Sequence, residues 1–228
     1  TDETTTRRAV EVAKVLFDWA TGFSRRMYII PHGQNLAEFL EKCPHRFTCL
    51  LCKRVMYRIA EKIAEMTKVE GIVTGEAIGE QASQTIPNLR VLNQAVQKYP
   101  IHRPLLGFDK AETERIARKI GTYEPSSLKA KGCTAAPKKP ATMAKPHEII
   151  EAEEKLNIQQ MVEASVQQLK TLNCRISTSL YSSVSVLFSA CVEPLNDRVL
   201  MFSLTMSAAD IAVRVFLKLE PEDFRTLQ

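Results

Sequence analysis

The chain has 228 residues, 45% of them hydrophobic and 25% charged, with a formal net charge of +5. That length suits one sizeable core with at most a small appendage, and the apolar content excludes a disordered polypeptide. No apolar run reaches membrane-spanning length and the opening Thr1-Asp2-Glu3-Thr4 lacks the basic-then-apolar order of a signal peptide, so the expectation is a cytosolic protein without a membrane partner.

Taken in order, the chain alternates helix and strand. Thr4 or Thr5 can cap a first helix running to about Ala20, with Ala9, Val10, Val12, Ala13, Leu16 and Phe17 on its apolar face and Gly22 as its stop. Residues 27–30 read as a short strand halted by Pro31, and residues 34–42 as a brief helix. A longer helix covers residues 50–67, where Leu51, Val55, Ile59, Ile63 and Met66 keep helical spacing. Strand 71–75, helix 79–97, strand 101–106, helix 110–120 and helix 147–170 follow. This βα alternation predicts an α/β fold, a mainly parallel sheet flanked by helices.

Strand 71–75 ends on Gly75, a residue that lets a ligand approach the backbone. Open α/β sheets bind ligands outside the carboxyl ends of their strands, and the amides at a helix start favour phosphate, so the turn after Gly75 is a candidate nucleotide site. Gly75-x-x-x-Gly79 is neither a dinucleotide fingerprint nor a Walker loop, and an ordinary strand-to-helix turn remains the competing reading.

Residues 173–228 carry five Lys/Arg against six Asp/Glu, so the positive excess lies in the first 172 residues. Its sharpest patch is 125–147, where Lys129, Lys131, Lys138, Lys139 and Lys145 occur among four prolines without an acidic residue. An extended basic loop is expected, either a solvated linker or a contact for nucleic-acid phosphates. The last 56 residues hold no glycine, although the chain has eight. There, residues 180–192 and 198–206 read as strands and a helix capped at Ser207 places Ile211, Val215 and Leu219 on one face; Cys174 and Cys191 read as packing residues.

Six cysteines without a secretory signal argue for thiol chemistry or metal binding over a disulfide framework. Cys49-Leu50-Leu51-Cys52 opens the helix that continues Lys53-Arg54, and the positive end of a helix favours thiolates. The pair is open to three readings: a redox couple, half a zinc site, or packing cysteines. Cys133, between Gly132 and Thr134, is a candidate nucleophile or third ligand, since the glycine permits close approach of a substrate.

Several ordered blocks then match one family. Cys49-x-x-Cys52-Lys53-Arg54-x-Met56-x-Arg58-Ile59-Ala60-Glu61, Val73-Thr74-Gly75-Glu76-x-x-Gly79-x-x-Ala82-Ser83-Gln84-Thr85-x-x-Asn88-Leu89, Arg103-Pro104-Leu105-x-Gly107-x-Asp109-Lys110 and Ile116-Ala117-Arg118-x-Ile120-Gly121-Thr122 closely resemble the C-terminal catalytic domain of tRNA 4-thiouridine synthetases. The resemblance covers about residues 7–170 and looks most like the archaeal branch.

The resemblance implies a PP-loop, adenine-nucleotide-hydrolase-like and Rossmann-like fold that uses ATP and Mg2+ to adenylate a tRNA uridine at its C4 oxygen and then replaces the adenylate with sulfur. By motif, Lys53, Gly75 and Gln84 fall on ATP-contacting positions and Cys133 on the catalytic sulfur-handling cysteine. The bland alternatives are a solvated helix start for Lys53 and Arg54 and a helix-surface amide for Gln84. Lys129, Lys131, Lys138 and Lys139 become the tRNA-binding residues. Cys49, Cys52 and Cys133 are expected either to hold a [4Fe–4S] cluster with one iron open to sulfide or to act as separate thiols, with Cys133 as a persulfide. Partners are tRNA and a sulfur donor, sulfide or a persulfide carrier, and the family admits a homodimer. The family's pyrophosphate loop and N-terminal tRNA-binding domains are missing, so residues 1–172 read as a catalytic domain lacking its first strand and phosphate loop, and 173–228 as an extension of unknown role. The competing functions are a non-catalytic RNA-binding or interaction module and a PP-loop ligase acting on a small molecule.

Overall fold

The computed structural model describes residues 3–19, 24–130, 132–173, 199–202 and 211–218. Gly22, Lys131, Cys174, Cys191 and the strand expected at 180–192 lie outside them.

Helix α1 (Glu3–Trp19) buries Thr5, Ala9, Ala13 and Phe17, an i, i+4 ladder. It packs on strand β1 (Ser24–Pro31), where Met27 and Ile29 join the α1 layer while Tyr28 and Ile30 turn to the main core. The strand's period of two therefore makes it a wall between two apolar layers. Helix α2 (Gly33–Lys42) and a 3-10 turn, His45–Phe47, lead into the central helix α3 (Thr48–Thr67), of which twelve residues are buried. Leu50, Leu51, Val55, Tyr57, Ile59 and Ile63 of α3 form the middle of the core. The helix stops at Lys68, whose φ of 56° is a left-handed conformation that glycine more often occupies.

Strand β2 (Gly71–Thr74) is buried throughout. The helix expected at 79–97 is instead a loop, a 3-10 turn at Ala82–Gln84 and helix α4 (Ile86–Asn93). Two residues break it: Gly79 takes a φ of +81°, and Pro87 lies in the first turn of α4, where a proline starts a helix but cannot continue one. The strand expected at 101–106 is only β3 (Ile101–His102), because Pro104 offers no N–H and Leu106 folds back to bond Arg103 O. Helix α5 (Lys110–Ile120) has a capping box between Asp109 and Glu112 and ends on Gly121 at φ +80°; the short α6 (Tyr123–Ser126) follows.

The helix expected at 147–170 is two helices, α7 (Pro146–Glu153) and α8 (Ile158–Gln167), because the Asn157 side chain accepts from Gln160 N and starts a second helix. Strand β4 (Lys170–Asn173) follows, then β5 (Val199–Phe202) within the span expected to be a strand. The helix expected after Ser207 is corrected to strand β6 (Ile211–Lys218). Its sequence explains this: Ile211, Val213, Val215 and Leu217 alternate with Ala212, Arg214, Phe216 and Lys218, a β-branched and aromatic run that suits an extended chain better than a helix.

The parallel sheet has the order β3-β2-β5, with β2 at its centre. A second sheet, β4-β1-β6, is antiparallel on both sides of β1. The α/β class stands; the antiparallel sheet was not foreseen, since a four-residue apolar run carries no sign of its neighbours' direction.

Candidate nucleotide and thiol site

The chain leaves the parallel sheet through Gly75, where a Cβ would meet nothing within 4 Å. That open position is the end of a fully buried strand, the place where α/β sheets receive ligands. Immediately after it comes Glu76, with no exposure at all. Its Oε1 accepts from Lys53 Nζ at 3.0 Å, and its Oε2 from Arg103 Nε at 2.7 Å and Thr74 Oγ1 at 3.3 Å, with a further short bond from the Tyr57 hydroxyl. Arg103 Nη2 goes on to Asn93 Oδ1 at 2.7 Å. Burial pushes the Glu76 carboxyl up, but Lys53, Tyr57 and Arg103 together outweigh it and hold the group below the usual carboxylate range. Burial and the Glu76 charge push the Tyr57 hydroxyl up, which keeps it a donor. Lys53 and Arg103 against Glu76 leave one net positive charge beneath the turn, a field favourable to an anion.

Lys53 is therefore no solvated helix start, and neither is Arg54. Arg54 grips Glu153 of α7 with two bonds of 2.8 Å and also bonds Val91 O, while Arg58 meets the same carboxylate at 2.6 and 2.9 Å. For Glu153 too, burial acts upward and the two guanidiniums prevail, leaving its carboxyl below the usual range.

The turn after Gly75 is closed by its own backbone: Gly79 N bonds Gln84 O at 3.2 Å, Gln84 N bonds Gln81 O at 2.8 Å, and Ile78 N reaches Leu106 O at 3.1 Å. Ser83 and Gln84 are 3% and 5% exposed, so Gln84 is not a surface amide. Ser83 Oγ and Gln84 Oε1 find no hydrogen-bond partner among the described residues. Buried polar atoms are nearly always satisfied, and two orphans on one turn mark where a ligand's polar groups would fit.

The Cys133 loop is docked onto this turn. Ala135 and Ala144 are buried, Ala141 N bonds Arg46 O at 3.0 Å, and Thr85 Oγ1 bonds Thr142 O at 2.6 Å. Asn88 of α4 ties the loop to the turn itself, through Ala82 O, Ala141 O and Ala144 N. Lys129, Lys138 and Lys139 stay exposed, while Lys145 N caps onto Glu148. These ties dock residues 141–145 onto the fold.

Cys133 and Cys49 are close enough to interact electrostatically: burial first, and the neighbouring Cys133 second, push the Cys49 thiol up. Burial here overrides the helix-start effect that was expected to favour a thiolate. Cys52 turns elsewhere, with its Sγ 3.3 Å from His32 Nε2 and 3.7 Å from Met56 Sδ. His32 Nδ1 is in turn 3.1 Å from Asn35 Nδ2. Among the described residues no three His, Cys, Asp or Glu converge as metal ligands. The set Cys49, Cys52 and Cys133 therefore does not fit a cluster in this arrangement, and His45, bonded to Leu40 O, joins none.

Lys53, Gly75 and Gln84 thus fall around one end of β2, and the loop of Cys133 is tied to the same turn through Asn88, with Cys133 itself beside Cys49. Glu76, Ser83, Asn88 and Tyr57 complete the surroundings and were not singled out from the sequence as site residues. Glu76 carried a signal nonetheless, a charge directly after a buried strand of four apolar-context residues. Ser83 carried none.

A buried parallel strand that opens through a glycine onto an incompletely satisfied turn, with a cysteine loop tied to that turn, defines an α/β domain with a candidate ligand site at its strand end. Residues 1–158 match the family described as Thiamine biosynthesis protein (ThiI), and the chain belongs to that family. It is 42% identical over 167 residues to the probable tRNA sulfurtransferase of Methanosarcina mazei, an alignment covering 72% of this chain and 40% of the relative. It is 39% identical over 165 residues to the probable tRNA sulfurtransferase of Caldanaerobacter subterraneus, covering 72% and 43%. The chain thus spans about two fifths of the length of these relatives. A crystal structure of a 4-thiouridine synthetase–RNA complex with bound ATP superposes with a TM-score of 0.70 at 32% identity, covering 75% of this chain and 45% of that one.

Proposed function

We propose that this chain contributes the sulfur-transfer half of an ATP-dependent tRNA sulfurtransferase that forms 4-thiouridine. The observation that carries the reading is the pair of buried, orphaned atoms Ser83 Oγ and Gln84 Oε1, on the turn that follows a parallel strand and that Asn88 ties to the loop of Cys133. The relatives' names and the RNA and ATP of the structural neighbour support it.

In this reading Gly75 and Gln84 receive the adenine nucleotide, and Lys53 acts from beneath, by holding Glu76 and adding positive charge. Mg2+ would accompany the phosphates. The uridine O4 attacks the α-phosphorus of ATP and pyrophosphate leaves. A persulfide on Cys133, formed either by transfer of sulfane sulfur from a persulfide carrier to the Cys133 thiol or by hydrosulfide opening a Cys49–Cys133 disulfide with Cys49 leaving as thiolate, then attacks C4 through its terminal sulfur, and AMP leaves with the old oxygen. Attack of the Cys49 thiolate on the Cys133 sulfur gives a Cys49–Cys133 disulfide and releases the thiocarbonyl on the base, so sulfur and electrons balance. Thiols are preferred over a cluster because Cys52 would have to leave His32 to join the other two.

Lys129, Lys131, Lys138 and Lys139 guide the tRNA by charge. Residues 1–172 form the catalytic portion and 173–228 an extension, two of whose strands, β5 and β6, lie beside β2 and β1. Cytoplasmic action follows from a tRNA substrate, and among the described residues no helix is long and apolar enough to cross a membrane. A homodimer is part of the family expectation.

The test is incubation of the chain with unmodified tRNA, ATP, Mg2+ and sulfide, in the presence of the family's upstream domains, followed by nucleoside mass spectrometry. 4-Thiouridine that disappears in Cys133→Ala is expected; thiolation unchanged in that variant overturns the reading.

A further inference from the structure

The Cys133 loop, residues 132–145, contains neither helix nor strand, so no ladder of its own fixes where it lies. Buried or half-buried backbone must still find partners, and the partners it finds decide its position. Asn88 supplies them. Its Nδ2 donates to Ala141 O at 2.8 Å and to Ala82 O at 2.6 Å, and its Oδ1 accepts from Ala144 N at 3.0 Å. The side chain has no exposure. Ala82 begins the 3-10 turn that carries the orphaned Ser83 and Gln84, whereas Ala141 and Ala144 belong to the cysteine loop. One carboxamide, using both hydrogens and its oxygen, therefore joins two segments that lie more than fifty positions apart in the chain.

We infer that Asn88 is a positioning residue that fixes the Cys133 loop relative to the nucleotide turn, so that the state of one is transmitted to the other. This rests on the proposed function, in which the atom activated at the nucleotide and the sulfur on Cys133 must come within bonding distance. Reactions between prepositioned groups lose about a hundredfold for a displacement near 1 Å, so a single tie of this kind has kinetic weight. The chemistry selects the amide. Aspartate would keep the acceptor for Ala144 N but lose both donors and place a buried charge against two carbonyl oxygens, and alanine would orphan all three backbone groups.

The experiment uses the 228-residue chain and reads alkylation of Cys133 by iodoacetamide, by peptide mass spectrometry, with and without ATP. In the parent, Cys133 is expected to react slowly and ATP to change its rate. In Asn88→Ala, Cys133 is expected to react about tenfold faster or more, the size expected for losing buried hydrogen bonds, and to lose its response to ATP even though calorimetry still shows ATP bound. Asn88→Asp should fall between the two. A general loss of packing would speed Cys43 alkylation as well, and the inference requires Cys43 to stay protected. Hydrogen exchange on the unmodified chain gives a check that no variant can spoil, because the Ala144 amide should be protected like those of α4. Equal Cys133 rates in parent and Asn88→Ala, or an Ala144 amide that exchanges as fast as an exposed one, overturns the inference. If the parent binds no ATP, the nucleotide-free Cys133 rate and the Ala144 amide still decide the tie, and the functional reading is judged separately by the thiolation assay with the upstream domains present. Should Asn88→Ala not fold, Thr85→Val, which removes the neighbouring bond to Thr142 O, and the Ala144 amide carry the decision.

Discussion

Lys53 and Glu76 lie 23 positions apart in the chain and 3.0 Å apart in the fold, both closed off from water. A buried ion pair of this kind is poor evidence for net stability, since each charge has lost its hydration. Removing one partner alone is another matter. Glu76→Gln leaves Lys53 and Arg103 facing each other without their carboxylate, and an unfolding midpoint shift equivalent to about 3–5 kcal/mol is expected. Lys53→Met combined with Glu76→Gln should be destabilised by less than the sum of the two single changes, and additive values from denaturant melts would show that the pair is not coupled.

Acid should weaken the α3–α7 contact as the Glu153 carboxylate takes up its proton. The Glu153 carboxyl is held below its ordinary range in the fold by Arg54 and Arg58 against the opposing effect of burial. A group depressed in this way binds its proton more readily when unfolded. Its stabilisation is fully present above the unfolded pKa of about 4.3 and is lost as pH falls through the lower folded value. Thermal melts from neutrality down through that window should fall more steeply for the parent than for Glu153→Gln. Parallel curves would remove Glu153 from the account.

The exposed lysines of the cysteine loop should read as counterion release. Lys138→Ala with Lys139→Ala is expected to weaken tRNA binding and to flatten the slope of log affinity against log salt by roughly two, because about one ion is released per phosphate contact. An unchanged slope would leave the loop with its docking role alone.

Cysteine pairing distinguishes the thiol route from a cluster. Mild oxidation of the anaerobically purified protein is expected to link Cys49 to Cys133 and to leave Cys52 reduced, in keeping with its place beside His32. Stoichiometric iron and sulfide that vanish on changing any one of the three would reverse this expectation.

The sequence disclosed most where periodicity and chemistry agreed. Helix α3 was expected within two residues at its start, because its apolar positions repeat at helical spacing and Thr48 and Cys49 add no contrary signal. The end of β2 at Gly75 was equally legible. What escaped notice depended on partners far along the chain. Gln84 reads as a surface amide until Pro87 and Gly79 are seen to break the helix that would have carried it outward. Lys53 and Arg54 look like a solvated helix start because their partners, Glu76 and Glu153, are 23 and 99 positions away. The partition of the cysteines was hidden for the same reason, since spacing shows that Cys49 and Cys52 share a helix face but not that His32 takes one of them.

Helix α5 has a capping box at one end, a left-handed glycine at the other, and no buried residue between them. Its two ends are specified by its own sequence, and Trp19 of α1 fastens its last turn by donating to Ile120 O at 2.9 Å. Lys110, Glu114, Arg115 and Lys119 are therefore substitutable without loosening anything beneath them, whereas Glu112 holds the cap and Arg118 stacks on the Tyr123 ring at 3.4 Å. The charge along this one helix can therefore be raised or lowered by substitution, which would change the encounter rate with any charged partner and leave the buried turn after Gly75 as it was.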